Sequence, residues 1–391
     1  MITLIRQATV FGPQPLGTRD ILLAGDRIAA VSAPDSIRIE GIEVPTIDGR
    51  GKLVFPGLID SHVHILGGGG EGGPSTRAPE IAIEDIFRSG VTTLIGCLGT
   101  DGVTRHMSSL LAKARALDIE GVTTFIFAGS YEVPVKTLTG SIRSDLVLID
   151  KVIGAGEIAI SDHRSAQPTF EEIARLAAEC RVGGMLGGKA GVLHLHLGDG
   201  RRGLELLFRL IKETEIPPSQ FIPTHVNRNR RLLEEAMDYV LAGGFMDLTA
   251  GVDPEKETDD DVSVETSILR CLEKNVPLSH VTVSSDSNGS LPVFNKQGNL
   301  VGLTIATEQT LIDKFRSLLR RKILDPEQAA NLFSSNPARF YKLGRKGAIE
   351  PGRDADLVLF DKDYGLTDVI ARGRIMMAGG RLLAGSTFGR P

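Results

Sequence analysis

Between Leu58 and about residue 335 the chain repeats one pattern, a short apolar run followed by an amphipathic helical stretch. The runs are Leu58–His64, Val91–Cys97, Thr123–Gly129, Glu157–Ser161, Val192–Leu197, Phe221–Val226, Phe245–Ala250 and Val281–Asp286. Between them lie stretches such as Phe170–Cys180, Gly203–Lys212 and Arg231–Leu241, with apolar residues at helical spacing. Strand alternating with helix demands a parallel sheet, because parallel neighbours need a long crossover between them. Eight such units predict an α/β protein with a closed (β/α)8 barrel, although an open doubly wound sheet satisfies the same alternation. The motifs have to choose between them.

The two ends of the chain have a different character. Ile21-Leu-Leu-Ala-Gly-Asp-Arg-Ile-Ala-Ala-Val places a turn between two apolar runs, which is a hairpin signal. Near the other end Asp356-Leu-Val-Leu-Phe reads as a strand, and Ile370 to Leu382 as a second hairpin. The expected organisation is a small β-sandwich domain built from residues 1–55 and 347–391, flanking a barrel over 56–346.

Four of the runs end in residues that bind metals. The first closes Asp60-Ser-His62-Val-His64, and residues two apart in a strand face the same side. The fifth closes His194-Leu-His196-Leu-Gly-Asp, the sixth Pro-Thr-His225-Val-Asn, and the eighth Ser-Ser-Asp286. One H-x-H pair is a weak signal, since two polar side chains at a strand end look the same. A barrel, however, gathers the C-terminal ends of all its strands into one site, so these imidazoles and the carboxylate converge on a ligand set suited to borderline divalent ions.

Pro56-Gly-Leu-Ile-Asp-Ser-His-Val-His, the later single histidines, Asp286 and Gly352-Arg-Asp-Ala-Asp-Leu-Val-Leu together resemble the amidohydrolase superfamily. Within it, four stretches look like isoaspartyl dipeptidases: Leu66-Gly-Gly-Gly-Gly-Glu71-Gly-Gly-Pro, Ile160-Ser-Asp-His-Arg164-Ser-Ala, Thr224-His-Val-Asn-Arg228-Asn and Ser285-Asp-Ser-Asn-Gly-Ser290. The resemblance covers essentially the whole chain. It implies a zinc enzyme in which His62 and His64 hold one metal and His196 and His225 the second. Asp286 would bind metal and act as general base and then acid, while Tyr131 would hydrogen-bond the developing oxyanion. The substrate implied is a small zwitterionic dipeptide hydrolysed at its β-aspartyl bond. Glu71 matches the position that takes the amine, Arg164 and Arg228 those that take carboxylates, and Thr100 and Ser290 further substrate-facing positions. Large homo-oligomers, as octamers, are also implied.

One position departs from the family pattern. Where a carboxylated lysine bridges the metals in the best-known form, this chain has Glu157, and the nearby Lys151 lies too far upstream. Glutamate brings the same charge on a shorter arm. Either the strand is displaced inward, as an apparent extra residue in Gly154-Ala-Gly-Glu would allow, or the site holds a single metal. The reading adopted is two zinc ions bridged by Glu157, with no modification by carbon dioxide.

Other features narrow the function further. Among 391 residues there are 44 Lys and Arg against 49 Asp and Glu, a formal charge of −5, and no basic block that would suit nucleic acid or an anionic membrane. The apolar runs fall far short of the roughly 20 residues of a membrane span, and the first residues lack a secretory pattern. The three cysteines are too scattered for a disulfide framework. The cytoplasm is the expected compartment. The glycines at 67–70 lack the Gly-Lys-Ser/Thr ending of a phosphate loop, and Asp259-Asp-Asp261 reads as a solvated loop. His106 and His280 are expected to be structural or exposed, and His194 to stand behind the ligands. A cyclic amidohydrolase of the dihydroorotase or hydantoinase type would share this metal set, and a scaffold that has lost its metals would share the fold. Glu71 with two arginines favours the zwitterionic dipeptide over a ring imide, and the retained ligands argue against the scaffold.

Overall fold

The computed structural model describes residues 2–258, 260–294 and 300–387. Six parallel strands pair in chain order: Leu58–Val63, Val91–Gly96, Thr123–Ala128, Val152–Ile160, Val192–Leu197 and Phe221–Thr224. Two more, Met246–Thr249 and Val281–Ser284, pair with each other in parallel. A parallel bridge between Val63 and Ser287 then returns the sheet to its first strand, where the His64 amide donates to the Ser287 carbonyl at 2.9 Å. The sheet is thus curled on itself as a (β/α)8 barrel, and the open alternative falls away. Its strands are buried almost throughout, which is why they read as unbroken apolar runs rather than alternating ones.

The helices sit where the helical spacing placed them. The helix expected over 170–180 runs on to Gly187, opened by a capping box between Thr169 and Glu172 and closed by Gly188 in the left-handed region. Among the described residues, no helix is long and apolar enough to cross a membrane. A hairpin of Ser290–Phe294 and Leu300–Ile305, which the sequence reading did not anticipate, follows the eighth barrel strand. Asp260 and Asp261 are exposed, as expected of a solvated loop, while Asp259 lies outside the described residues.

The fourth strand differs most from its expected bounds. It begins at Val152 rather than Glu157, so Glu157 lies inside it. Against the fifth strand its register steps from Leu193–Ala155 to Leu195–Ile158, one residue more on the fourth strand than on the fifth. This is a β-bulge, a device that bends a strand and re-aims a side chain. Gly156 occupies it with a φ of 150°, and a Cβ there would stand 2.6 Å from the His194 carbonyl oxygen. Only glycine passes this point without displacing the neighbouring strand.

Both ends of the chain contribute to one nine-stranded sheet, in which Leu53–Pro56 pairs antiparallel with Leu357–Phe360. This sheet keeps its own core, including Ile5, Val10, Ile21, Val54, Leu357 and Ile370. Buried Lys346 helps fasten it to the barrel: its ammonium lies 2.9 Å from Asp354 Oδ2, donates to Asp356, and reaches Thr123 Oγ1 on the third barrel strand at 2.7 Å. Removing one partner of a buried ion pair leaves the other charged and desolvated. Lys346→Met is therefore expected to cost about 3 kcal/mol. The check is a lower denaturant midpoint at unchanged slope.

Candidate metal centre and substrate pocket

The bulge brings Glu157 into contact with histidines from four directions. Its Oε2 lies 3.1 Å from His196 Nδ1, 3.3 Å from His62 Nε2 and 3.6 Å from His225 Nε2, while Oε1 lies 3.5 Å from His64 Nε2. Asp286 faces the same space, with Oδ1 3.0 Å from His64 Nε2 and 3.5 Å from His62 Nε2. All six expected ligands are therefore brought together, and the short arm of Glu157 still spans both histidine pairs. His225 and Asp286 both have left-handed backbones, with φ of 59° and 56°. Such conformations cost energy in non-glycine residues and concentrate at functional sites.

A second partner fixes which nitrogen most of the imidazoles present. His62 Nδ1 lies 2.9 Å from His194 Nε2, and His194 in turn stacks on Phe127 at 4.7 Å. His225 Nδ1 meets Thr249 Oγ1 at 2.7 Å, and His196 Nε2 meets Asp162 Oδ2 at 3.0 Å. Engaging the outer nitrogen turns the inner one toward Glu157, as partners behind metal-bound histidines generally do. His194 thus stands behind the ligands, as expected.

The charges in this cluster depend on one another. Burial alone would raise the pKa of Glu157, but the charges of His62 and His196 outweigh it and hold the carboxyl well below its usual range. Asp286 is likewise held down against burial, chiefly by His225 and His64. Burial lowers His225 to about 3 and pushes His194 well below its ordinary value. Even so, His62 Nε2, Glu157 Oε1 and Asp286 Oδ1 are buried without a hydrogen-bond partner. Buried polar atoms seldom remain unmatched, and a divalent cation among imidazole nitrogens and carboxylate oxygens would satisfy all three. The residues present fit a metal.

Of the residues expected to meet substrate, Tyr131, Thr100, Glu71 and Arg164 form a connected group beside His196. Tyr131 Oη lies 2.8 Å from His196 Nδ1, and burial keeps its hydroxyl protonated far above the usual range. Thr100 donates to Glu71 Oε1 at 2.9 Å. Arg164 stands 3.5 Å from the same oxygen, with its guanidinium over the Tyr131 ring at 5.4 Å. Arg228 pairs loosely with Asp199 at 3.7 Å. Ser290 opens the added hairpin, where a Cβ built on Gly69 would approach it to 3.4 Å. His163 is exposed, and His280 bonds the Gly244 carbonyl as a structural residue.

Two residues of the site were not singled out from the sequence. Asp162 links His196 to Arg164, which it grips through Nε at 3.1 Å and a terminal nitrogen at 2.8 Å. Its signal was present in Ile160-Ser-Asp-His-Arg164, two residues past a strand end. Cys97 closes the second run as His64 closes the first and Asp286 the eighth, and lies 3.8 Å from His64 Nδ1.

Buried histidines and carboxylates are thus gathered at the C-terminal ends of the barrel strands, the face on which this fold carries its active sites. The amidohydrolase family model matches residues 191–376. A β-aspartyl dipeptidase from Fervidobacterium islandicum AW-1, solved with the dipeptide β-Asp-Leu, is 46% identical over 98% of this chain and 97% of its own, with a TM-score of 0.91. The chain belongs to the β-aspartyl dipeptidase family of the amidohydrolase superfamily. More distantly, a dihydroorotase from Pelotomaculum thermopropionicum is 25% identical over 98% of this chain and 96% of its own length. Dihydropyrimidinase from Brevibacillus agri NCHU1002 shares the fold at 16% identity and a TM-score of 0.68, with each chain covered completely.

Two substitutions separate ligand from orienting partner. Glu157→Gln keeps the shape but removes the charge, and is expected to lose bound metal and activity together, as read by elemental analysis. Asp162→Asn is expected to retain the site and weaken metal affinity by about 10–100-fold, measured by competition with a chelator.

Proposed function

We propose that this enzyme hydrolyses the β-aspartyl (isoaspartyl) amide bond of dipeptides with two zinc ions bridged by Glu157. The observation that carries this reading is the carboxylate of Glu71 beside the guanidinium of Arg164, 3.5 Å apart and next to His196. A β-aspartyl dipeptide presents an α-amine and an α-carboxylate beside its scissile bond, and would part this pair by taking one charge to each. Asp162 holds one edge of Arg164 and leaves Nη1 directed toward Glu71. Arg228 would receive the second carboxylate, with Thr100 and Ser290 bordering the substrate.

When bound, the metals lower the pKa of water and polarise the scissile carbonyl. Asp286 takes the proton of the attacking water and delivers it to the leaving amine. Its carboxylate lies 3.0 Å from His64 Nε2, at the edge of the histidine cluster. The Tyr131 hydroxyl, kept protonated by burial, donates to the oxygen on which charge develops. A ring imide offers no separate amine for Glu71, and the dihydroorotase relative is too distant to favour that reading.

Several finer features accompany the proposal. Residues 1–55 and 347–391 form a small β-sandwich beside a barrel of 56–346. The enzyme works in the cytoplasm as a homo-oligomer, an octamer, and exposed Leu148, Met185 and Leu186 support such assembly.

The test is hydrolysis of β-Asp-Leu beside α-Asp-Leu by zinc-supplied protein. Cleavage of the β-linked peptide alone is expected. Cleavage of neither, with metal bound, would move the assignment to cyclic imides. Glu71→Gln is expected to lower kcat/KM for β-Asp-Leu by about 10–100-fold, the loss of one charged hydrogen bond, at unchanged metal content.

A further inference from the structure

The metal cluster contains a group that the proposed chemistry leaves unused. Cys97 follows directly on the second barrel strand and is 1% exposed. With His62, His64 and Glu157 it forms a set in which one ligand atom from each residue lies within 4.8 Å of the others. Cys97 also packs beside Ile59, Ile95 and Phe127, whereas Cys180 and Cys271 are buried in the main apolar core and join no such group of donors among the described residues. Independently of the sulfur, two members of the same set, His62 Nε2 and Glu157 Oε1, are buried polar atoms without hydrogen-bond partners. Nitrogen, oxygen and sulfur donors thus face one small space in which the polar atoms lack partners.

We propose that Cys97 is a thiolate ligand, joining His62, His64 and Glu157 at one of the two metal positions and biasing that position toward zinc. This rests on the metal-dependent reading above and specifies one of its two positions. Imidazole, carboxylate and thiolate are all donors that zinc accepts. A soft sulfur donor disfavours magnesium, calcium and manganese, which prefer oxygen. The His196 and His225 side lacks sulfur, so the two positions differ in chemistry. On binding, the thiol passes its proton to solvent and its sulfur binds the cation as thiolate, which adds one negative charge beside Glu157. The alternative is a structural thiol that donates to the Val63 carbonyl, 3.7 Å away.

Cobalt(II) separates these two roles, because cobalt bound to thiolate absorbs strongly in the near ultraviolet by sulfur-to-metal charge transfer. The full-length protein is stripped with chelator, reloaded with cobalt(II) alone, and read by absorbance and elemental analysis. The wild type is expected to show the band, the Cys180→Ser/Cys271→Ser double variant to keep it, and Cys97→Ser to lose it along with one metal per chain. Wild-type protein that binds cobalt without the band overturns the assignment of Cys97 and leaves the hydrolase reading standing. Wild-type protein that binds no metal overturns both. The wild-type spectrum alone is decisive should Cys97→Ser fail to fold.

Discussion

Glu157 sits between four imidazoles, and the active end of the barrel is arranged around that one carboxylate. It is fully buried, a position in which an unpaired charge is untenable. Its charge survives there because His62, His196, His225 and His64 all stand within about 3.6 Å, and three of them, His62, His196 and His225, are also held from behind. The cluster is neither an apolar core nor a satisfied polar network. Its unmatched atoms point inward, and this is the feature that makes it a site for a cation.

Several parts of the fold exist to hold that carboxylate where it is. A glutamate on a regular strand would be too short to stand in for a carboxylated lysine. The bulge at Gly156 adds one residue to the fourth strand, and the missing Cβ lets that strand lie against His194. His194 is thereby available to hold His62 at 2.9 Å. Around the rim, Asp162 performs two tasks with one carboxylate: it orients His196 and fixes Arg164 over Tyr131. The metal side and the substrate side of the pocket are therefore mechanically joined, and a change at Asp162 is felt by both.

Much of this was legible in the residue order. Parallel strands covered on both faces are apolar throughout, so runs such as Val192–Leu197 stand out with their true bounds. Residues at strand ends converge by the geometry of the barrel, so His62, His64, His196, His225 and Asp286 could be gathered from the ends of their runs. The fourth strand misled because Gly154 and Gly156 interrupt its apolar pattern, and glycine reads as a break when it is in fact permitting a bulge. Cys97 and Asp162 went unassigned for a different reason. A buried cysteine and an acidic loop residue are commonplace, and only their neighbours give them meaning.

Sequence by itself therefore determined the repeating α/β architecture, the contribution of both chain ends to one β layer, and the set of histidines and carboxylates at the strand ends. These follow from periodicity and from the chemistry of residue types, which are local properties. The tertiary structure alone decided that the sheet closes through Val63 and Ser287, that Glu157 reaches both histidine pairs, and that Cys97 and Asp162 belong to the site. Those facts depend on one-residue shifts of register and on distances between segments far apart in the chain. Such distances are fixed by how the strands pack against each other, and no local pattern records them.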